Sequence, residues 1–151
     1  FGKILMMFKL ILFIFLSFSV SSFANEGNIY DLEVNKNPDW QIFAAYENDN
    51  GSMVFKFYNI KTIRNIGGIK GIEEITFYQK ENSITSSAGK YKYITTYLEI
   101  DCDKYRVKPI GLAAFYSKDR VLVGEVDHKE NLEWTKFAIG TPYDSLHKLV
   151  C

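Results

Sequence analysis

Two histidines and two cysteines are the side chains of this chain best suited to catalysis or metal binding: His128, His147, Cys102 and Cys151. His147 and Cys151 are four residues apart, the spacing at which two ligands on one helix face can hold a metal ion. A structural zinc ion needs four ligands, and the sequence offers no third or fourth ligand at a suitable spacing. Two histidines with a lysine could serve a small secreted hydrolase as an acid–base pair, but no motif places them together. We therefore predict no catalytic residues, no metal and no cofactor, with His147 on the surface and His128 in a loop.

The first residues of the chain favour a different interpretation of the cysteines. Lys9 provides a positive start, Leu10 to Val20 an apolar core, and Ser22-Phe23-Ala24 a small-x-small cleavage site, a pattern typical of a secretory signal peptide. An apolar run of about eleven residues is too short to cross a bilayer of roughly 30 Å. We therefore predict export to the periplasm, the outer surface or the medium, without a transmembrane segment.

Export predicts that Cys102 and Cys151 form a disulfide, because two thiols in an oxidising compartment usually pair. Such a bridge closes a loop of roughly 50 residues, which the chain-entropy model equates with about 4 kcal/mol of stability. A bridge at Cys151 is expected to tie the C-terminal segment to an earlier element.

The predicted organisation is a signal peptide over 1–24, a polar lead-in over 25–39 and one folded domain over 40–151. Residues 1–5 precede the first Met and are left out of the fold. Removal of the signal peptide, which contains Lys3 and Lys9, leaves 16 basic and 18 acidic residues. This balance argues against a nucleic-acid-binding protein, which normally has a strongly basic domain.

Alternation of apolar and polar residues in the folded domain predicts an antiparallel sheet. Asn50-Gly51 is typical of a two-residue hairpin turn, which would pair Tyr46 with Phe55 and Ala44 with Phe57.

A second hairpin is expected to turn at Cys102-Asp103, which pairs Leu98 with Val107 and Glu99 with Arg106. One face of this hairpin is then apolar and the other carries an opposite-charge pair. Alternation along the strand places Cys102 on the apolar face, so its disulfide partner should lie over that face.

The C-terminal segment is expected to be helical. Thr141 is suited to the N-cap, Pro142 to the first helical position, and Asp144 to the positive end of the helix dipole. The other expected elements are a bend over Asn65 to Gly71, strands over Ile72 to Lys80 and Val121 to Asp127, and a short strand or extended connection over Leu132 to Ile139. The predicted fold class is α+β: a roughly six-stranded antiparallel sheet with a C-terminal helix tied to one face by the disulfide.

A row of basic residues recurs at alternate positions after the second turn: Lys104, Arg106 and Lys108. Lys90 and Lys92 stand at the far end of the preceding strand. Such a stripe could bind an acidic partner, or it could be a solvated face whose lysines discourage edge-to-edge pairing.

Three tyrosines of the fourth strand are expected on the face opposite Leu98: Tyr91, Tyr93 and Tyr97. An exposed row of tyrosines would be an unusual surface patch. Together with the basic residues, this row is the candidate binding face, and the sequence is also compatible with a homodimer.

Several segments resemble motifs of the surface-adhesin protein E family of Gram-negative bacteria, over about Trp40 to Cys151. The motifs are Tyr97-Leu98-Glu99-Ile100-Asp101-Cys102, Lys104-Tyr105-Arg106, Trp134, Gly140 to Pro142, Val150-Cys151 and, more loosely, Phe57 to Arg64. The resemblance implies a six-stranded antiparallel sheet whose concave face holds a C-terminal helix through a disulfide.

The same resemblance implies a non-catalytic bacterial surface protein that binds host matrix and serum proteins such as vitronectin and laminin. A lipid anchor is not expected, because the first mature position is Asn25 and not the cysteine that a lipoprotein requires. The alternatives are a periplasmic structural or stress-related domain without a host ligand and, less favoured, a small secreted hydrolase.

Overall fold

The computed structural model describes residues 33–83, 89–128 and 132–151. By its contacts the chain divides into Phe1–Glu33 and Val34–Cys151, and the sheet and the C-terminal helix both belong to the second unit. The predicted signal peptide and most of the polar lead-in lie outside the described residues. None of the helices in the described ranges is long and apolar enough to span a lipid bilayer.

The fold is an antiparallel sheet with a C-terminal helix. Its elements in chain order are the one-turn helix α1 (Glu33–Lys36), strands β1 (Trp40–Glu47), β2 (Met53–Asn59), β3 (Arg64–Ile66), β4 (Ile69–Ser83), β5 (Lys90–Asp101), β6 (Arg106–Tyr116), β7 (Leu122–His128) and β8 (Thr135–Lys136), and helix α2 (Pro142–Val150). A short 3₁₀ turn, Ile60–Thr62, follows β2. The strand order is β1-β2-β4-β5-β6-β7, with β3 paired to β4 and β8 paired to β6.

The described part of the sheet therefore has eight strands rather than the six expected. The first additional strand arises where a bend was predicted, because Gly67 and Gly68 both adopt positive φ and turn β3 back onto β4. The second is β8, which lies within the segment Leu132 to Ile139 and pairs with the start of β6. β3 is only three residues long, too short for alternation to reveal it, whereas β8 is the short strand that was one of the two alternatives expected for this segment.

The β1–β2 hairpin has a different register from the one predicted. Its loop includes Asn48 to Ser52, where Asn48 N donates to Ser52 O (3.0 Å) and Asn48 Oδ1 accepts from Ser52 N (2.9 Å). Tyr46 consequently pairs with Val54 and not with Phe55. Asparagine side chains can build a wide loop as readily as a tight one, and here they displace the pairing by one residue.

The β5–β6 hairpin also turns over a longer segment than expected, Cys102 to Tyr105. Tyr105 adopts the left-handed conformation (φ 51°), which makes this wider turn possible. Arg106 therefore pairs with Asp101, where the prediction had Glu99. The predicted pairing of Leu98 with Val107 was wrong by the same two residues. A displacement of two residues leaves Leu98, Glu99, Arg106 and Val107 on their predicted faces.

One face of the sheet, here called the helix face, carries the main core. Its buried side chains pack around Leu146 of α2, and they are Phe43, Tyr58, Ile72, Leu98, Ile100 and Val107. The opposite face, here called the outer face, carries the alternate residues of the same strands, Phe77 and Tyr97 among them. The two faces have different chemistry, and each contains a candidate site.

Helix α2 confirms the predictions made for the C-terminal segment. Thr141 is its N-cap and accepts a hydrogen bond from Asp144 N (3.4 Å), and Pro142 opens the first turn. Cys102 and Cys151 form the expected disulfide, which joins the end of the helix to the β5–β6 turn. The helix packs against β1, so a part of the helix face towards β6 is left without a helix over it.

Candidate functional site

The basic residues predicted for the candidate binding face are largely paired. Arg106 Nε lies 2.8 Å from Asp101 Oδ2, and Lys108 Nζ lies 2.9 Å from Glu99 Oε2. Burial alone would raise the pKa of Asp101, but hydrogen bonds from Arg106 and from the backbone of Lys104 hold that pKa below its usual value. The stripe is therefore not a single-signed surface, because each of these two cations has an acidic neighbour.

Trp134 adds an aromatic ring to this part of the outer face. Arg106 Cζ lies 4.7 Å from the centre of the Trp134 ring and Lys108 Nζ lies 4.8 Å from it, both within the range of a cation–π contact. Lys136 pairs with Arg106, and Trp134 precedes Lys136 by two residues. Alternation along the strand therefore places Trp134 on the same face as Arg106. Trp134 entered the sequence analysis only as a motif residue, so the structure adds it to the candidate face.

The other predicted basic residues do not join this cluster. Lys104 lies exposed in the β5–β6 turn, and Lys90 is exposed at the start of β5, where it pairs with Ser83. Lys92 Nζ lies 5.8 Å from the centre of the Phe77 ring. Of the five basic side chains, Arg106 and Lys108 therefore contact Trp134, and the other three lie elsewhere.

The three tyrosines do not share one face. Tyr93 contacts Phe77 (ring centres 5.3 Å apart), as Lys92 does, whereas Tyr91 contacts Tyr78 and Phe115 on the helix face. The side-chain alternation of β5 reverses where the pairing of β4 with β5 shifts register, between the Phe77–Tyr93 and Asn82–Tyr91 pairs. The predicted common face was therefore wrong for Tyr91.

Tyr97 is the most exposed of the three predicted tyrosines, with 48% of its surface accessible. It pairs with Ile110, two positions along from the Glu99–Lys108 pair and therefore on the same face. We name Tyr97, Arg106, Lys108 and Trp134 the outer-face cluster.

The histidines also differ from expectation. His147 is only 8% exposed, its Nε2 lies 3.0 Å from Cys102 O, and its ring centre lies 4.4 Å from that of Tyr105. The prediction of a surface histidine was wrong because the position of the disulfide turns this side of α2 towards the β5–β6 turn. Ligand atoms of His147, Cys102 and Cys151 lie within 4.8 Å of one another, but both sulfur atoms belong to the disulfide and offer no thiolate. His128 ends β7 and lines the cavity described next.

A cavity of about 540 Å³ lies over the part of the helix face that α2 leaves uncovered. Its wall is mostly apolar and includes Ile94, Leu98, Pro109 and Phe115 from β5 and β6. Phe137, Thr141 and Tyr143, from the connection before α2 and its first turn, also line it. Small-molecule sites in proteins commonly have this volume and an apolar wall with a few polar groups.

The polar groups of the cavity wall include a buried ion pair. Lys56 Nζ lies 2.6 Å from Glu74 Oε1, and their side chains are 11% and 4% exposed. Thr76 Oγ1 accepts a hydrogen bond from Lys56 Nζ (3.0 Å) and donates one to Glu74 Oε1 (2.9 Å). Burial would lower the pKa of Lys56, but the Glu74 carboxylate raises it above the usual lysine value, so Lys56 is protonated at neutral pH.

Two tyrosine hydroxyls stand beside this pair. Burial raises the pKa of Tyr78 to about 12, and burial followed by the Glu74 charge raises the pKa of Tyr143 above its usual value. Both therefore remain protonated, and hence hydrogen-bond donors, at neutral pH. The ring of Tyr143 also lies over Lys56, whose Nζ is 5.2 Å from the ring centre.

This cavity and its ion pair were not predicted from the sequence. Lys56 and Glu74 are 18 residues apart and meet only because β2 pairs with β4. A signal was present in the alternation, since each is a charged residue on the strand face that also carries buried apolar residues, Val54 and Tyr58 in β2 and Ile72 in β4. No protein-family model, curated protein or solved structure matches the chain.

Proposed function

We propose that this chain is a non-catalytic binding protein of the bacterial cell envelope, which recognises a protein partner through the outer-face cluster. The observation that carries the proposal is the position of Trp134 against both Arg106 and Lys108. Tryptophan, tyrosine and arginine are the residues that most often dominate the energy of protein interfaces, and the cluster contains all three.

The neighbouring acids support a preorganised surface. Asp101 and Glu99 hold the two cations in place, so little side-chain freedom remains to be lost on binding. They also cancel much of the positive charge, which limits long-range attraction of an acidic partner. The expected partner therefore presents an apolar or aromatic group to Trp134 and Tyr97, and its affinity should depend only weakly on salt.

The kind of partner and the cellular place rest on the resemblance to surface-adhesin protein E and on the leader pattern. Both favour an exported protein, and the resemblance alone adds display on the outer surface and binding to host matrix or serum proteins. The alternative is a periplasmic domain with a structural partner in the envelope. Protease treatment of intact cells distinguishes the two, because cleavage before the outer membrane is breached requires surface display.

The test compares the two tryptophans of the chain. Trp134→Ala should weaken binding to immobilised vitronectin or laminin by at least about tenfold, which corresponds to about 1.4 kcal/mol. Trp40→Ala is the matched control, since Trp40 is half-buried at the start of β1 and lies outside the cluster. Equal binding by both variants would show that the outer-face cluster is not the interface. Absence of binding by the unmodified protein would favour the periplasmic alternative.

A further inference from the structure

The cavity on the helix face is built from rigid elements. Six strands, β2, β4, β5, β6, β7 and β8, contribute wall residues, and the disulfide-tied helix α2 contributes Tyr143. A wall made of paired strands keeps its shape without a ligand, which reduces the ordering that binding requires. The cavity lies on the opposite face of the sheet from the outer-face cluster, so the two sites can be tested independently.

One wall residue has an unmet hydrogen-bonding capacity. Glu74 is 3% exposed, and its Oε1 receives the bonds from Lys56 and Thr76. Its second oxygen, Oε2, is buried and has no hydrogen-bond partner within the part of the chain that the structure describes. The terminal torsion of a glutamate side chain is soft, so the carboxylate can turn this oxygen towards a group in the cavity. A buried acceptor of this kind favours any ligand that brings it a donor.

The charge of the wall limits which donor can be accommodated. A ligand ammonium group at Glu74 would lie close to the Lys56 ammonium group, and two like charges repel strongly away from water. A ligand carboxylate would meet the Glu74 charge, while Lys56 is already engaged by Glu74 and Thr76. A neutral donor group avoids both penalties.

We propose that this cavity binds a neutral, largely apolar molecule with a hydroxyl group, and that Glu74 accepts the hydrogen bond of that hydroxyl. The apolar body lies against Ile94, Leu98 and Phe115. The hydroxyl oxygen can at the same time accept a hydrogen bond from the Tyr78 or Tyr143 hydroxyl. An alcohol or a phenol can therefore donate to Glu74 and accept from a tyrosine.

The first experiment varies only the head group of the ligand. 2-Naphthalenemethanol, 2-naphthylmethylamine, 2-naphthoate and 2-methylnaphthalene share one apolar body, and their affinities for the oxidised protein can be measured by titration of amide resonances. We expect the alcohol to bind most tightly, by about tenfold over the hydrocarbon, and to shift the resonances of Thr96 and Ala113, which line the cavity.

The second experiment blocks the cavity and uses a neighbour as its control. Thr96 lines the cavity, whereas Thr95 precedes it on β5 and points to the outer face. Thr96→Phe should weaken binding of the alcohol by at least about tenfold, and Thr95→Phe should leave it within about twofold. Glu74→Gln should lower the affinity for the alcohol towards that for the hydrocarbon, and the Thr96 and Thr95 pair keeps the test decisive if that variant does not fold.

Three results would overturn the proposal. The first is no saturable binding of the alcohol up to about 1 mM. The second is equal or tighter binding of the amine or the carboxylate; a preference for the carboxylate would indicate that His128 and Lys136, which also line the cavity, select the head group. The third is an equal effect of Thr96→Phe and Thr95→Phe. None of these results bears on binding at the outer-face cluster.

Discussion

The imidazole of His147 is hydrogen-bonded to the backbone carbonyl of Cys102, with 3.0 Å between Nε2 and the oxygen. Because a carbonyl oxygen only accepts, Nε2 carries the proton in this contact. The same ring lies against Tyr105, the residue whose left-handed conformation closes the β5–β6 turn. The last turn of α2 is thus attached to this turn by a hydrogen bond and a ring contact as well as by the disulfide.

Replacement of His147 by phenylalanine should preserve the ring contact and remove the hydrogen bond. The Cys102 carbonyl would lose its partner in a half-buried place, so we expect the free energy of unfolding to fall by about 1 kcal/mol. Urea denaturation monitored by tryptophan fluorescence measures this change. His128→Phe is the control and should stay within about 0.5 kcal/mol; equal losses in both variants would show that the hydrogen bond contributes nothing specific.

Loss of the disulfide should have the largest effect of any single covalent change. The bridge joins residues 49 positions apart, and a loop of that size corresponds to about 4 kcal/mol on the chain-entropy model. The double variant Cys102→Ser/Cys151→Ser should therefore have a much lower midpoint of urea denaturation than the oxidised protein. Unmodified protein treated with a reductant should behave like the double variant, and an unchanged midpoint in both would contradict the assigned role of the bridge.

The Lys56–Glu74 pair should be sensitive to removal of one partner and tolerant of removal of both. Lys56→Met leaves a buried carboxylate without its cation, and we expect a loss of about 3–5 kcal/mol. Lys56→Met combined with Glu74→Leu should recover most of that loss, because no charge then remains unpaired. A double-mutant cycle in urea measures the coupling, and strictly additive losses would mean that the two side chains do not depend on each other.

Acid should destabilise the first turn of α2. The hydrogen bond from Gly140 N and then the one from Lys148 Nζ hold the pKa of Asp144 below its usual value of 3.8. A carboxyl group with a lowered folded-state pKa stabilises the fold above its unfolded-state pKa, and this contribution disappears as the pH falls through the folded-state value. The free energy of unfolding should therefore decrease between about pH 5 and pH 2.

The matched variant for this pH dependence is Asp144→Asn, which keeps the size of the side chain but cannot titrate. Its stability should fall less steeply over the same pH interval, while at neutral pH it should be less stable than the unmodified protein. Identical slopes for the two proteins would assign the acid sensitivity to other carboxyl groups, of which Asp101 is one with a lowered pKa.

Local signals accounted for the features that the sequence predicted well. The capping residues Thr141, Pro142 and Asp144 are adjacent in the chain, and their effect on α2 does not depend on the rest of the fold. The pairing of Cys102 with Cys151 followed from the count of cysteines and an inferred oxidising compartment.

Features that depend on turn geometry were harder to predict. Asn50-Gly51 indicated a hairpin but did not specify the length of its loop. One further residue in the loop changed the partner of Tyr46 from Phe55 to Val54. The left-handed conformation of Tyr105 displaced the pairing of the second hairpin. The sequence did not predict this conformation because non-glycine residues rarely adopt it. The contact between Lys56 and Glu74, and with it the cavity, required the pairing of two strands that are distant in sequence.

The disulfide also determines what a single proteolytic cut does to the chain. Every peptide bond between Cys102 and Cys151, including those of the β6–β7 turn, lies inside a closed ring of atoms. A protease that cuts once anywhere in this ring opens the loop without releasing a fragment. The cut protein therefore migrates as an intact chain in a gel without reductant and separates into two pieces only when the bridge is reduced.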